Sequence, residues 1–235
     1  MTLDLWSRYS ENDGGLIDRG IDISNESGVQ KTLVLLKPDN FRAASLRVGN
    51  IVDLFSRSGL KIIGIRILRM NLKQARAFYE SVHGSLRKRS QAEVAENLDS
   101  VRRKTYGVQI AEPLKMQVIE EIGSRVGDNR FDHLLSYITG ANVGNATPDP
   151  GGGENCLALV YQGTSAIEKI RYLLGSTDPR QAEPGSVRYE FGSDIMANAA
   201  HASDSPESVE RELGIIDMQS DTVRPWVEQY YGNGG

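Results

Sequence analysis

The sequence has a single cysteine and only three histidines among its 235 residues. One cysteine, Cys156, excludes an internal disulfide and fits a reducing compartment. Its apolar neighbours in the stretch NCLALVY predict a buried thiol. No apolar run reaches membrane-spanning length, and the stretch MTLDLWSRYSENDGG has no basic segment followed by an apolar one. We therefore expect a cytoplasmic protein with no membrane partner.

Several familiar binding patterns are also missing from the sequence. It has no glycine-rich G-x-x-x-x-G-K-[ST] loop and no G-x-G-x-x-G after a predicted strand. It has no cysteine–histidine pattern with zinc spacing either. The formal net charge of −4 argues against general nucleic-acid affinity, and we expect no specific nucleic-acid partner. A phosphate site here would have to be built from side chains.

The pattern of apolar residues predicts alternating strands and helices. Short runs rich in strand-forming residues predict strands at 31–36, 61–68 and 155–161. Helical spacing predicts helices at 45–58, 72–82, 130–140, 164–175 and 205–213. This order favours an α/β (α+β) protein, a ferredoxin-like split βαβ sandwich rather than a parallel doubly wound sheet. We expect a four-stranded antiparallel sheet with surrounding helices.

The chain divides by composition into a central domain and flanking segments. Residues 1–30 are polar and predict an N-terminal extension, 31–218 the domain and 219–235 a C-terminal tail. Within the domain, residues 85–128 are charged, mixed in sign and helical in pattern. They predict an inserted helical hairpin with solvated faces, or a device that docks a partner. Residues 141–154, with two prolines and three consecutive glycines, predict a second insert that forms a loop.

One histidine stands in an unusual setting. His201 lies in the stretch NAAHASDS, residues 198–205, among small side chains that would leave its ring accessible. A neutral imidazole can act as a nucleophile near pH 7 if a carboxylate orients its ring. Ser205 is a predicted N-cap for the helix that follows. Three glutamates of that helix are candidates for the orienting carboxylate: Glu207, Glu210 and Glu212.

Three cationic side chains are candidates for binding phosphate. Lys37 follows the first predicted strand, and Arg171 lies near the end of a predicted helix. Arg188 lies in residues 176–191, which predict one long loop rich in proline and glycine. Guanidinium groups match the geometry of phosphate oxygens. Together with His201, these residues predict an anion site beside a nucleophile.

Several separated motifs resemble the nucleoside diphosphate kinase family. NAAHASDS is similar to the family's Asn-x-x-His-Gly-Ser-Asp-Ser signature, and LVLLKPDNFR to its first strand and Lys-Pro-Asp turn. IRYLLGSTDPRQAEPGSVRYEF resembles its Arg-x-x-x-Gly-x-Thr-x-Pro segment and the Pro-Gly-(Ser/Thr)-x-Arg-x-x-Phe that follows. The motifs occur in the family's order and cover about 31–83 and 130–218. Ala202 stands where the family has glycine, and Ala197 where arginine is common.

The resemblance implies a catalytic role for several residues. His201 would carry the phosphate as phosphohistidine, and Glu212 would orient its ring. Lys37 and Asn198 would bind near the ribose hydroxyl and the transferring phosphate. Tyr79 matches the family's active-site tyrosine.

The resemblance also implies how the rest of the nucleotide is bound. Arg171 and Thr177 would hold the middle phosphate, and Arg188 the terminal one. The base would stack between an aliphatic and an aromatic side chain. Ile195 fits the aliphatic position, while the aromatic position falls on Arg130 or, with a shift of one residue, on Phe131.

The activity implied is a two-step transfer of the terminal phosphate of ATP to nucleoside diphosphates. Mg²⁺ would be held mainly by the substrate phosphates, with no metal site made of protein groups alone. The resemblance also implies a homo-oligomer. The alternative hypothesis is a weakly active or inactive kinase-like module that binds nucleotide, or binds a protein partner through residues 85–128.

Overall fold

The computed structural model describes residues 28–42, 47–101, 104, 107, 110–143 and 152–218. These residues fall into two compact units, one within Met1–Met70 and Glu154–Gly235 and the other within Asn71–Gly153. Nearly all of the predicted N-terminal extension and C-terminal tail, and residues 144–151 of the predicted loop, lie outside the described residues. Within the described part of the chain, no helix is long and apolar enough to cross a membrane.

The first unit contains a four-stranded sheet in which all neighbouring strands are antiparallel. Its strands are β1 (Val29–Leu36), β2 (Lys61–Leu68), β3 (Cys156–Thr164) and β4 (Ala200–Ala202). The order is β2-β3-β1-β4, so β3 separates β1 from β2 and β1 separates β3 from β4. Two interleaved β-α-β connections of this kind define the split βαβ, ferredoxin-like fold. The predicted fold class is confirmed.

Every described α-helix except the one at Val187–Phe191 overlaps a segment predicted to be helical, although the observed bounds differ. In chain order they are α1 (Arg47–Ser56), α2 (Leu72–Phe78), α3 (Glu80–Val101), α4 (Glu112–Thr139), α5 (Ala166–Leu174), α6 (Val187–Phe191) and α7 (Pro206–Ile215). Short 3₁₀ turns occupy Pro38–Asn40 and Pro179–Gln181.

Two helix predictions and one loop prediction need correction. The helix expected at 72–82 is interrupted at Tyr79, whose φ of −100° and ψ of 12° end α2. The helix expected at 130–140 is the last part of the longer α4. The stretch 176–191 is not one loop, because it holds a 3₁₀ turn and α6. A helix of five residues is too short to show helical periodicity in the sequence.

The two central strands of the sheet form the core of the first unit. In β1, the residues from Leu33 to Leu36 have no exposed surface. One sheet face packs against α1 and α5 through a cluster that includes Val34, Leu36, Leu157, Leu159, Ile51, Phe55, Ile170 and Leu174. Cys156 is fully buried, as predicted, and burial raises the pKa of its thiol to about 12.

The register of β4 decides which way its histidine faces. His201 pairs with Leu35, while Ala200 and Ala202 pair with Leu36 and Val34. The two alanines belong to the core cluster of the α1 and α5 face. Because side chains alternate along a strand, His201 points to the opposite face. Helix α7 packs against β1.

The second unit contains α2 and a hairpin of α3 and α4. Oppositely charged side chains pair across the hairpin: Arg87 with Asp128, Arg130 with Glu93 and Lys115 with Asp99. Of the described residues of α3, only Ser90 is buried. The segment predicted as an insert, 85–128, is helical at 85–101 and 112–128, while its status as an insert and the docking of a partner stay predictions.

Candidate active site

The site in the first unit begins where β1 ends. Pro38 has no N–H to continue the ladder, so the chain turns after Lys37. The Lys37 side chain is buried, and its Nζ donates to Asn198 Oδ1 at 2.7 Å and to the Met196 carbonyl at 3.1 Å. Burial, and secondarily the charge of Arg188, lower the pKa of Lys37 to about 8. Lys37 is therefore a cation with a substantial desolvation cost.

A strained turn connects Asn198 to β4. The Ala200 N–H donates to the Asn198 carbonyl at 2.8 Å, which closes a γ-turn around Ala199. Ala199 has a φ of 67°, in the left-handed region that favours glycine. Its N–H donates to Asp39 Oδ2 at 3.0 Å. The Lys-Pro-Asp turn thus contacts the backbone just before the histidine.

Arg188 joins the loop after α5 to β4. From α6, its Nη1 donates to the Gly175 carbonyl at 3.0 Å and lies 3.4 Å from Thr177 Oγ1. Its Nη2 donates to the Ala200 carbonyl at 3.0 Å. Asn198 Nδ2 in turn donates to the Thr177 carbonyl at 2.9 Å. Hydrogen bonds therefore bring Arg188, Thr177 and Asn198 together with Lys37.

His201 contacts a buried carboxylate. Its Nε2 lies 3.0 Å from Glu212 Oε2, and the side chains are 20% and 3% exposed. The same oxygen accepts from Ser203 Oγ at 2.7 Å, while Oε1 accepts from Arg211 Nη2 at 3.0 Å. These donors satisfy a carboxylate that burial would otherwise destabilise. With its proton on Nε2, the neutral imidazole carries its lone pair on Nδ1.

Helix α7 selects one of the three candidate glutamates. Ser205 caps the helix as predicted, since its Oγ accepts from the Ser208 N–H at 3.1 Å. Glu212 faces His201, whereas Glu207 and Glu210 are exposed.

Two further predicted residues lie at the surface of the first unit. Arg171 is exposed in the last turn of α5, and Ile195 is half-buried in the loop before β4. The pKa of Asp204 lies below its ordinary value, chiefly because Ser208 donates to it. The charge of Arg171 lowers that pKa further.

Three predicted residues belong to the second unit, and their roles stay predictions. Tyr79 is buried, with its ring centroid 5.0 Å from that of Phe78. Phe131 is 1% exposed, and its ring stacks on His83 with centroids 4.3 Å apart and planes 10° apart.

The choice between Arg130 and Phe131 for the base-stacking position also stays open. Arg130 donates to Ser90 Oγ at 3.0 Å and to Glu93 Oε2 at 2.7 Å. Both candidates therefore have partners within the helical unit.

Sequence reasoning missed Ser203, Arg211 and Asp39 as contacts of the site. Ser203 and Asp39 lie inside the quoted motifs, and that was the available signal. Ala202 is the residue that stands where the resembling family has glycine. Ala202 lies in β4 with its methyl group buried in the core. Its φ is not positive, so the position does not require glycine. The alanine therefore fits ordinary strand backbone.

The chain is similar to known proteins over most of its length. A family profile described as nucleoside diphosphate kinase matches residues 30–91 and 128–221. The nucleoside diphosphate kinase of Sulfurisphaera tokodaii is 26% identical over 197 residues, covering 84% of this chain and 95% of that protein. That of Hyperthermus butylicus is 29% identical over 195 residues, covering 83% and 96%.

A solved structure shows the same relationship. The NDP kinase from Pyrobaculum aerophilum superposes with a TM-score of 0.55 at 27% identity, covering 80% of this chain and 94% of that one. The profile leaves out 92–127, which falls within the predicted insert at 85–128. With its phosphotransfer motifs in order on a ferredoxin-like sheet, the chain belongs to the nucleoside diphosphate kinase family and is an enzyme of that class.

Proposed function

We propose that the chain transfers the terminal phosphate of ATP to nucleoside diphosphates by a ping-pong mechanism, with His201 as the phosphate carrier. The observation that carries the proposal is the contact of His201 Nε2 with the buried carboxylate of Glu212. A proton held on Nε2 leaves Nδ1 as the nucleophilic nitrogen. The role of Glu212 is to orient the ring and to stabilise positive charge on it, in the manner of the carboxylate of a catalytic triad.

The two half-reactions balance without any other reactant. First, the Nδ1 lone pair attacks the terminal phosphorus of ATP; the N–P bond forms as the P–O bond to ADP breaks. After ADP leaves, a terminal oxygen of the acceptor diphosphate attacks the same phosphorus. The N–P bond then breaks, which returns the lone pair to His201 and releases the triphosphate. Such transfer depends on positioning and charge stabilisation.

The cations around His201 supply that stabilisation. Lys37 and Asn198 are assigned to the transferring phosphate and the ribose hydroxyl, and Arg188 to the terminal phosphate. The hydrogen bonds that link these three residues support the assignment. Thr177 and the exposed Arg171 are assigned to the middle phosphate.

The remaining assignments concern the nucleoside. Ile195 is proposed on the aliphatic side of the base, and Arg130 or Phe131 on its other face. Tyr79 is proposed as the active-site tyrosine. The family relationship supports these assignments, together with a homo-oligomer that works in the cytoplasm.

Mg²⁺ is proposed to bind with the nucleotide. The carboxylates of Asp39 and Asp194 lie near Lys37, but the described residues contain no group of three or more His, Cys, Asp or Glu side chains that could hold a metal ion. Hard phosphate oxygens are the ligands that Mg²⁺ prefers. When bound, the ion would neutralise charge on the phosphates.

Labelling tests the proposal directly. The protein is incubated with ATP radiolabelled on its terminal phosphate. The expected product is a protein label that is stable in base, labile in acid and lost on adding GDP. A His201→Ala variant is expected to take up no label, while the matched variant of the exposed α4 histidine, His133→Ala, is labelled normally. A folded wild-type protein that binds ATP without becoming labelled would overturn the mechanism.

A further inference from the structure

Asn40, at the end of the Lys-Pro-Asp turn, holds two backbone carbonyls. Its side chain is buried, and Nδ2 donates to the Ala199 carbonyl at 2.7 Å and to the Lys37 carbonyl at 3.0 Å. Both partners are acceptors only, so the amide nitrogen must face them. The Asn40 side chain therefore links the residue that follows β1, Lys37, to the residue that precedes β4, Ala199.

Ala199, whose carbonyl Asn40 binds, has a strained backbone conformation. Ala199 has a φ of 67° and lies two residues before His201. Its carbonyl accepts from Asn40 Nδ2 and also from the Lys37 N–H at 2.9 Å. Its N–H donates to Asp39 Oδ2. Both backbone polar groups of Ala199 are thus bound to one turn, which stabilises a conformation that alanine rarely adopts.

We propose that Asn40 is a positioning residue for phosphoryl transfer. By holding Ala199 in the left-handed region, it fixes the backbone that leads into β4 and so the place of the His201 ring. The same turn carries Lys37, so it sets the nucleophile and a phosphate-binding cation relative to each other. This inference rests on the proposed role of His201 as the phosphate carrier.

The first test measures the rate of His201 labelling in Asn40→Ala under single-turnover conditions. We expect labelling about tenfold slower than in wild type, equivalent to about 1.4 kcal/mol. Nucleotide affinity is expected to stay within about twofold, and the final label per protein to be unchanged, because the loss lies in the transition state. A merely structural role would lower the labelled fraction instead.

The second test uses the conformation of Ala199. Glycine adopts a positive φ without a steric cost, so Ala199→Gly removes the need for the amide. Asn40→Ala is therefore expected to slow labelling by no more than about twofold when introduced into Ala199→Gly, a clear departure from additivity. Asn155 offers a matched control, because its Oδ1 accepts from Arg69 Nε at 2.8 Å. Asn155→Ala is expected to label at the wild-type rate.

The outcomes separate this inference from the proposed function. If Asn40→Ala does not fold, Asn40→Ser, which keeps a hydroxyl donor, replaces it in both backgrounds. Labelling of the Asn40 variant at the wild-type rate, or a slow double variant, would overturn the positioning role while His201 remains the carrier. An unlabelled wild type would overturn both proposals.

Discussion

Glu212 Oε2 lies between two donors, His201 Nε2 at 3.0 Å and Ser203 Oγ at 2.7 Å. The oxygen that faces the imidazole is therefore also held by Ser203, the residue that directly follows β4. The two donors approach from the sheet, while Glu212 comes from α7. The position of the ring thus depends on the packing of that helix.

Replacing this carboxylate is expected to slow catalysis without unfolding the protein. In Glu212→Gln the amide can present an N–H to Nε2, which favours the tautomer with the proton on Nδ1 and blocks the nucleophile. We expect His201 phosphorylation to slow by about 10- to 100-fold, as for other residues that fix an imidazole. Single-turnover labelling measures the effect.

Glu210 provides the matched control for this change. It lies on the same helix, and its exposed side chain is 3.9 Å from Lys31 Nζ. Glu210→Gln is expected to react within about twofold of wild type, because exposed ion pairs contribute little. Equal losses in the two variants would contradict the role given to Glu212.

The sequence predicted the long elements better than the short ones. The strand at 61–68 was predicted at its observed bounds because its strand-forming residues alternate along the chain. β4 has three residues, which is too few for a sequence pattern, so it is defined only by its pairing with β1. Tyr79 interrupts a helical pattern through its backbone angles, which the sequence does not display.

The site shows the same division. The motifs pointed to Glu212 and Lys37, but the contacts of Ser203 and Asp39 with the site come from the register of β4 and the turn after β1. The motifs contain both residues, but the contact of Asp39 joins it to Ala199, 160 positions further along the chain, and no local pattern indicates that pairing.

Arg188 is expected to be sensitive even to a conservative change. Its guanidinium donates to the carbonyls of Gly175 and Ala200 at the same time, a geometry that the single ammonium of lysine does not reproduce. Arg188→Lys is expected to lower kcat/KM about 10- to 100-fold, since hydrogen bonds to charged groups contribute about 1.5–3 kcal/mol.

The control for that change is nearby in sequence. Arg180 pairs with Asp178 at 2.7 Å but its side chain is 78% exposed. Arg180→Lys is expected to keep kcat/KM within about twofold of wild type. Steady-state kinetics with ATP and GDP distinguishes the variants, and a tolerated Arg188→Lys would argue against a phosphate role for Arg188.

The lowered pKa of Lys37 predicts two opposite responses to pH. Below pH 8 the buried ammonium is charged and available to phosphate, and above it the charge is lost. We expect kcat/KM, which reports the free enzyme, to fall as the pH rises through about 8. In Lys37→Arg, which stays charged, this fall should be absent. If kcat/KM of Lys37→Arg still falls as the pH rises, the fall is due to the titration of another group.

Folding stability should respond in the other direction. Between pH 8 and the ordinary pKa of 10.5 the unfolded chain keeps the Lys37 proton that the folded protein has lost. The unfolded state then binds more protons, so the free energy of unfolding rises with pH. Relative to Lys37→Met, wild type is expected to gain roughly 3 kcal/mol across this interval. Denaturant unfolding of both proteins at several pH values measures the gain; a difference independent of pH would contradict it.

The helix hairpin of the second unit depends on the close approach of its helices. At Gly127 of α4, an added Cβ would lie 2.6 Å from the Cα of Arg87 and 2.8 Å from its backbone nitrogen. Backbone atoms cannot move aside as a side chain would, so Gly127→Ala is expected to destabilise the protein by about 1–3 kcal/mol.

At Gly84 of α3 an added Cβ meets no atom within 4 Å. Gly84→Ala is therefore expected to stabilise the protein by up to about 1 kcal/mol, through helix propensity alone. Denaturant unfolding followed by circular dichroism measures both changes, and a Gly127→Ala protein as stable as wild type would mean that the two helices do not pack this closely.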